Sequence, residues 1–293
     1  MDNHTAMTIP SVTVGASNQS SLPEHLHWLI QHKGPIIFGF VAVFLLAGYL
    51  LPFARPVGHF GRFGSLGRIG KNFSLAGLNA LLSLLVVVPV SVFTARWALD
   101  WRTERMGGWA GLVFDLILMD LWIYGWHRAN HVFHVLWRFH EVHHLDETLD
   151  ASTALRFHFG EVFNSSLVRA AVIFLLAVPL SSVLAFETLV AMVAIFHHSN
   201  VRLPARLERV LSWAIVTPSI HWVHHHATRA DTDSNYATVL SLWDHLFGSS
   251  SRTLRTAGLR MSVEGQADAG LASLVIRPFR RAGTDLNRAQ DPR

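Results

Sequence analysis

The chain has 293 residues, no cysteine and only 15% charged residues, with a mean hydropathy of +0.31. Soluble globular domains carry about 25% charged residues, so this composition argues against a soluble protein. The absence of cysteine excludes disulfides and thiolate metal ligands. The formal net charge is +4, but most basic residues are predicted in loops beside apolar segments, so no nucleic acid partner is expected.

Three regions are predicted along the chain. Residues 1–33 are expected to form a polar arm without fixed structure, and no secretory signal is recognised in them. Residues 34–250 are expected to form one membrane domain. Residues 251–293 are expected to form a polar, basic tail.

Four apolar segments cover residues 36–53, 73–99, 109–126 and 168–196. A helix needs about 20 mainly apolar residues to cross a bilayer. The first three segments are therefore predicted to be single spanning helices. The fourth is either one long helix or a hairpin of two half-helices that bends at Pro179. The predicted fold class is all-α, a multi-pass membrane protein with a helical cap.

The orientation prediction rests on four basic residues between the first two apolar segments, namely Arg55, Arg62, Arg68 and Lys71. Loops rich in Lys and Arg tend to stay on the cytoplasmic side. If the fourth segment is a hairpin, the count of spans places every histidine-rich motif on that same face. The cap is therefore predicted to be cytoplasmic.

Nineteen histidines are present, and the central ones form three short motifs. These are H-x3-H at His127 and His131, and H-x2-HH at His140, His143 and His144 and again at His221, His224 and His225. Helical residues three or four apart share a face, whereas adjacent ones lie about 100° apart and can bind different ions around one cavity. Imidazole suits Zn, Cu, Fe and Ni, so the motifs predict a site for more than one metal.

Two other functions fit part of this pattern. His140-Glu141-x-x-His144 matches the H-E-x-x-H motif of zinc metalloproteases, but a single zinc would leave the other motifs unexplained. A metal transporter would need polar residues along several spans. Beyond Asp115, Asp120 and a few Ser and Asn, the predicted spans offer none.

The order of the motifs resembles the fatty acid hydroxylase superfamily, also called the sterol desaturase family. The motifs that carry the resemblance are D-x3-Y-x2-HR-x2-H from Asp120 to His131, W-x2-H-x2-HH from Trp137 to His144, R-x-H from Arg156 to His158, H-x-N from His198 to Asn200, H-x2-HH from His221 to His225, Asn235-Tyr236, and W-D-x-L-F-G from Trp243 to Gly248. The family often has Pro after R-x-H, where this chain has Phe159.

The resemblance implies a di-iron enzyme that uses O2 to hydroxylate, desaturate or cleave a lipid of the sterol, fatty acyl, ether-lipid or carotenoid type. The implied iron ligands are His127, His131, His140, His143, His144, His158, His198, His221, His224 and His225. His197 could replace His198. A ligating histidine usually donates its other ring N–H to a carboxylate or carbonyl. The residues expected to accept these bonds are Asp120, Asn200, Asn235 and Asp244, with Asp233 a further candidate.

The implied partners follow from the chemistry. A lipid substrate would enter from the bilayer. Two irons can supply two of the four electrons that reduce O2, so the others would come from a separate donor. The family expectation is a ferredoxin or a cytochrome b5-like carrier with its reductase.

Overall fold

The computed structural model describes residues 32–54, 62–102 and 107–280. The predicted arm up to residue 31 and the end of the predicted tail therefore lie outside the described residues. Within the described ranges the chain is helical, and the only β-type pairings are two isolated bridges, Pro52 to Val201 and His226 to Met261. The predicted all-α fold is confirmed.

Twelve α-helices lie within the described residues. In chain order they are α1 (Lys33–Leu50), α2 (Arg62–Leu82), α3 (Val88–Arg96), α4 (Gly108–Val132), α5 (His134–His144), α6 (Phe159–Leu176), α7 (Leu180–His198), α8 (Ala205–Leu211), α9 (Pro218–His224), α10 (Arg229–Thr232), α11 (Leu242–Leu246) and α12 (Leu271–Ile276). A π-helical turn, Ser83–Val87, joins α2 to α3.

Five helical segments are long and apolar enough to cross a membrane. They are α1, the continuous stretch Leu66–Arg96 in α2 and α3, α4, α6 and α7. Large apolar side chains on their outer faces, such as Phe38, Leu84 and Phe93, are exposed. This exposure is expected for helices that face lipid instead of water.

The fourth apolar segment is two helices, in agreement with the hairpin alternative. Ala177 adopts a left-handed conformation at φ 50° and ends α6. Pro179 follows and precedes the first turn of α7, where its missing N–H costs nothing. Each of the two helices is long enough to span by itself.

The second spanning segment begins at Leu66, earlier than predicted. Arg68 and Lys71 therefore lie on a helix and not in a loop. Arg68 Nη1 donates to Asp146 Oδ2 at 2.8 Å, and Lys71 pairs with Asp268. Both cations are consequently neutralised by acidic partners. They therefore give less support to the prediction that the connection between the first two spans is cytoplasmic.

The centre of the fold is α4, which packs against α5 and α7. Met119 of α4 is buried in a cluster with Ile173, Val178, Val183 and Phe186 from α6, α7 and their connection. This packing fixes the end of α4, where His127 and His131 lie, relative to the end of α7, where His198 lies.

A buried ion pair joins the segment before α4 to α4 itself. Arg102 Nη1 donates to Asp115 Oδ1 at 2.6 Å, with both side chains 2% exposed. Arg102 Nε also donates to the Leu176 carbonyl at 2.7 Å, so this residue ties α4 to the end of α6.

We expect Arg102→Met to destabilise the fold by about 3–5 kcal/mol, because it leaves the Asp115 carboxylate buried and unpaired. The double variant Arg102→Met/Asp115→Leu should recover most of this loss. The midpoint of thermal unfolding in detergent measures both effects. Equal destabilisation of the single and double variants would contradict this account.

Candidate metal centre

The first two histidine motifs come from consecutive helices. His127 and His131 lie one turn apart on the last turns of α4, and both are buried. The backbone at Phe133 is extended, at φ −90° and ψ 114°, which ends α4 and redirects the chain into α5. All three histidines of α5 are buried. His140 and His144 face back toward the end of α4, each with its ring centroid 4.9 Å from that of His131. His143 faces His198 instead, at a centroid distance of 5.0 Å.

The remaining histidines arrive from two distant elements. His197 and His198 form the end of α7. His221 and His224 lie on the short helix α9, which starts with Pro218, and His225 follows directly. All five side chains are buried.

The histidines gather into two groups in which one ring nitrogen per residue lies within 4.8 Å of the others. The first group is His127, His131, His140, His144 and His224, and the second is His143, His198, His221 and His225. Adjacent histidines, such as His143 and His144, belong to different groups. This division follows the rotation of about 100° between neighbouring helical residues.

Several imidazoles donate one ring N–H to a backbone carbonyl, which fixes their tautomer. The bonds are His127 Nδ1 to Tyr236 O at 2.8 Å, His224 Nδ1 to Ser234 O at 2.6 Å, His198 Nδ1 to Ala194 O at 2.7 Å and His143 Nδ1 to Arg156 O at 3.2 Å. A carbonyl can only accept, so the proton is on Nδ1 and the Nε2 lone pair is free.

The free nitrogens face one another. The Nε2 atoms of His143 and His198 are 3.1 Å apart, although both rings already carry their proton on Nδ1. In the first group, the Nε2 atoms of His127, His131 and His224 are buried and have no hydrogen-bond partner among the described residues. Buried lone pairs that converge without a proton are costly unless a cation lies between them.

The spacing and protonation state also fit a bound metal. Imidazole nitrogens about 2.1 Å from one ion lie about 3.0 Å apart when they bind at right angles, close to the observed separations. Burial lowers the pKa of His224 to about 3, and it lowers the pKa values of His143, His144, His221 and His225 well below the usual range. The rings are therefore neutral, which is the ligand form.

Two carboxylates bind the outer nitrogens of the first group. His140 Nδ1 donates to Glu161 Oε1 at 2.8 Å, and His131 Nδ1 lies 3.3 Å from Asp233 Oδ1. Carboxylates in this position orient a ligating ring and increase its basicity. Asp233 was among the residues expected from the sequence, whereas Glu161 was not. Its signal in the sequence is an acidic residue shortly before the fourth apolar segment.

Asp120 and Asp244 act through a loop and do not contact the histidines directly. Asp120 accepts from Val239 N, Leu240 N and Trp243 Nε1 at 2.8–3.2 Å. Asp244 accepts from Tyr236 N and Ala237 N at 2.8 and 3.0 Å. The two carboxylates hold the loop that supplies the Ser234 and Tyr236 carbonyls to His224 and His127.

The two asparagines anchor neighbouring backbone. Asn235, at φ 52°, donates to Ile220 O at 3.1 Å and accepts from Ser251 N at 2.9 Å. Asn200 exchanges hydrogen bonds with the backbone of Ala54, in the segment that follows α1. These hydrogen bonds of both asparagines are to backbone atoms and not to a histidine ring, so their support is indirect.

The structure does not bring His158 into either group. Its Nδ1 accepts the Gly160 N–H at 2.9 Å and caps α6, and its Nε2 donates to Val275 O at 3.0 Å. Both nitrogens are therefore occupied, which disagrees with the expectation of a tenth ligand. His197 stacks on His221 with ring centroids 3.9 Å apart, and His198, as predicted from the motif, occupies the place in the second group.

A cavity of about 410 Å³ reaches histidines of both groups, including His127, His140, His143 and His198. Its other walls are mainly apolar residues of α4, α6 and α7, but Arg169 and Glu187 also line it. Both residues lie in the fourth apolar segment, so the spans carry charged residues beyond Asp115 and Asp120, contrary to the expectation from the sequence. A larger cleft of about 810 Å³ lies at residues 147–149 and 257–267, and no histidine of either group lines it.

We expect Glu161→Ala to weaken metal binding about 10- to 100-fold, because His140 loses the carboxylate that orients it. Glu161→Gln should have a smaller effect, since the amide oxygen still accepts from Nδ1. Metal retained at increasing chelator concentration measures the change. The exposed residue Glu264 gives the control Glu264→Ala. If Glu161→Ala weakens metal binding no more than this control does, Glu161 does not orient His140 for metal binding.

Comparison with known proteins agrees with the motif order. Residues 112–249 match the sequence model of the fatty acid hydroxylase family, and this segment contains all members of both histidine groups. No solved structure matches the chain.

Named relatives are lipid-oxidising enzymes. The chain is 28% identical over 216 residues to ornithine lipid hydroxylase OlsE of Rhizobium tropici, covering 73% of this chain and 61% of the relative. It is 34% identical over 132 residues to alkylglycerol monooxygenase of Danio rerio, covering 44% and 28%, and 26% identical over 149 residues to human cholesterol 25-hydroxylase, covering 50% and 52%. The chain thus spans less than two thirds of each of these relatives. The expected resemblance is confirmed: the chain carries a fatty acid hydroxylase domain and is a homologue of the lipid hydroxylases and monooxygenases of that family.

Proposed function

We propose that the protein is a membrane di-iron oxidoreductase that uses O2 and external electrons to hydroxylate a lipid C–H bond, or to desaturate or cleave the lipid by related chemistry. The observation that carries the proposal is the pair of histidine groups at the end of an apolar cavity between membrane helices. The relatives named above, all of them lipid hydroxylases or monooxygenases, support the same reaction class.

The donor set suits iron, because imidazole is a borderline ligand that binds Fe well. Bound iron would supply the redox chemistry that activates O2 toward an unreactive C–H bond. The residues themselves have simpler tasks. The nine imidazoles of the two groups would hold the metal, Glu161 and Asp233 would keep two of the rings oriented, and the apolar walls of the cavity would position the lipid and exclude water.

Electrons would reach this centre from a separate carrier, for which a ferredoxin or a cytochrome b5-like protein with its reductase is the family expectation. The histidine groups lie at the ends of α4 and α7 and on the short helices α5 and α9, at one end of the spanning helices. We propose that this end faces the cytoplasm, where such carriers are found. The carrier would then dock on the polar side of the cap.

The metalloprotease alternative does not account for the geometry. His140 and His144 share their group with three further histidines, which a single zinc site does not require. The Glu141 carboxylate, which would be the general base of a protease, accepts from Arg277 Nη2 at 2.9 Å. We therefore expect Glu141→Gln to leave lipid oxidation largely intact.

Metal content tests the proposal directly. We expect about two irons per chain, as in other two-metal sites. His224→Ala and His143→Ala, which each remove one ligand from a different group, should each lower the content. The exposed residue His245 provides the matched control His245→Ala, which should retain full iron. A single zinc that survives His143→Ala would overturn the di-iron proposal.

The activity has its own readout. Lipid extracts of cells with the intact protein should contain a species heavier by one oxygen atom, or lacking two hydrogens, which cells with His143→Ala do not form. An unchanged lipid profile together with full iron content would contradict lipid oxidation while leaving the metal centre in place.

A further inference from the structure

Three charged residues meet inside the membrane domain, away from the histidines. Arg169 Nη1 of α6 donates to Glu187 Oε1 of α7 at 3.0 Å. Lys33 Nζ, at the start of α1, donates to Glu187 Oε2 at 3.1 Å. Arg169 and Glu187 lie in the interior of helices that can span a membrane. Ionisable groups at such positions are costly and usually serve a function.

Arg169 and Glu187 line the same cavity as the histidines. On α6 the lining residues Glu161, Ser165 and Arg169 follow at intervals of four, which places them on one face of the helix. Glu161 binds His140, so this face runs from the metal centre to Arg169. Along α7, Glu187 lies about 16 Å from His198, at a rise of about 1.5 Å per residue.

The wall between these two ends is mainly apolar. It is formed by residues such as Val87, Ile123, Val190 and Ala194. The cavity therefore has a charged end and a metal-binding end, separated by a hydrocarbon-like segment. This arrangement matches an amphiphile with one polar end and an aliphatic chain.

The charged end lacks an acceptor. Both oxygens of Glu187 already accept, one from Arg169 and one from Lys33. The Arg169 side chain is only 13% exposed. Its Nε is buried and has no hydrogen-bond partner among the described residues. Two cations against one carboxylate leave a net charge of +1. An anionic oxygen would satisfy both the free N–H and the charge.

We propose that Arg169 binds the polar end of the lipid substrate through an oxygen acceptor, and that a carboxylate is the group it selects. The aliphatic chain then lies along the cavity toward the two histidine groups. The inference rests on the proposed function for its substrate, but it concerns binding alone. It also implies that the oxidised carbon is set by its distance from the polar end.

The test measures binding without turnover. The full-length protein in detergent is kept anaerobic and without reductant, and it is titrated with a fatty acid brominated on its chain, with the methyl ester of that acid and with the corresponding alcohol. Bromine quenches tryptophan fluorescence at short range, and Trp122 and Trp126 line the cavity. Quenching that disappears in Trp122→Phe/Trp126→Phe reports binding inside the cavity.

We expect the acid to bind at least about tenfold more tightly than the ester, the scale of one charged hydrogen bond. Arg169→Met/Glu187→Gln should remove this preference while leaving ester binding unchanged, and unchanged ester binding also shows that the cavity is folded. Arg169→Lys keeps the charge but loses the planar donor fork, so it should retain part of the preference. The exposed residue Arg209 gives the control Arg209→Met, which should bind as the unmodified chain does.

An acid-to-ester preference that is absent in the unmodified chain, or that persists in the double variant, would overturn the inference. Equal binding of alcohol and acid, both dependent on Arg169, would overturn the choice of a carboxylate and identify a hydroxyl as the acceptor. The outcomes are separate from the proposed function. Arg169-dependent binding without any oxidised product would support this site and contradict the oxidoreductase. Oxidised product without the acid-to-ester preference would support the oxidoreductase and contradict this site.

Discussion

Buried imidazole nitrogens that converge without protons are the constraint around which the rest of the structure is arranged. His143 and His198 illustrate it, because both rings give their proton to a backbone carbonyl and then face each other at 3.1 Å. Burial keeps bulk water from these side chains, and a cation between the two nitrogens would relieve the contact. A metal bound here would couple its binding to folding, since the histidines of the two groups come from four separate helices and the residue after the last of them.

The backbone carbonyls that accept from His127 and His224 belong to a loop that is held by carboxylates, one of which lies inside a helix long enough to span a membrane. Asp120 is in the middle of a spanning helix, yet it organises the backbone near Val239 and Leu240. The reason is that this loop lies against α4 and has no regular secondary structure of its own to satisfy its N–H groups. Charge in the spans is thus used for support near the metal centre and, in our proposal, for substrate binding at Arg169.

The cavity is lined both by histidines of the two groups and by helices long enough to span a membrane. A lipid-oxidising enzyme must bring an aliphatic carbon to a polar metal centre without water following it. Here the apolar walls come from the same helices that carry the ligands at their ends. The helix that positions His198 also lines the cavity. Under the proposed function, packing in α7 would therefore influence both metal binding and the site of oxidation.

The sequence by itself determined the all-α membrane class and the histidines of the three motifs, because apolar length and helical spacing are local properties. It also indicated the family through the order of motifs between Asp120 and Gly248. Only the tertiary structure decided how the histidines divide into groups, because spacing gives the face of a helix but not what that face meets. It placed His158 as a helix cap with both nitrogens occupied, and it brought Glu161 to His140 and Arg169 to Glu187. The last two contacts join residues on different helices, so their formation depends on how α5, α6 and α7 pack together.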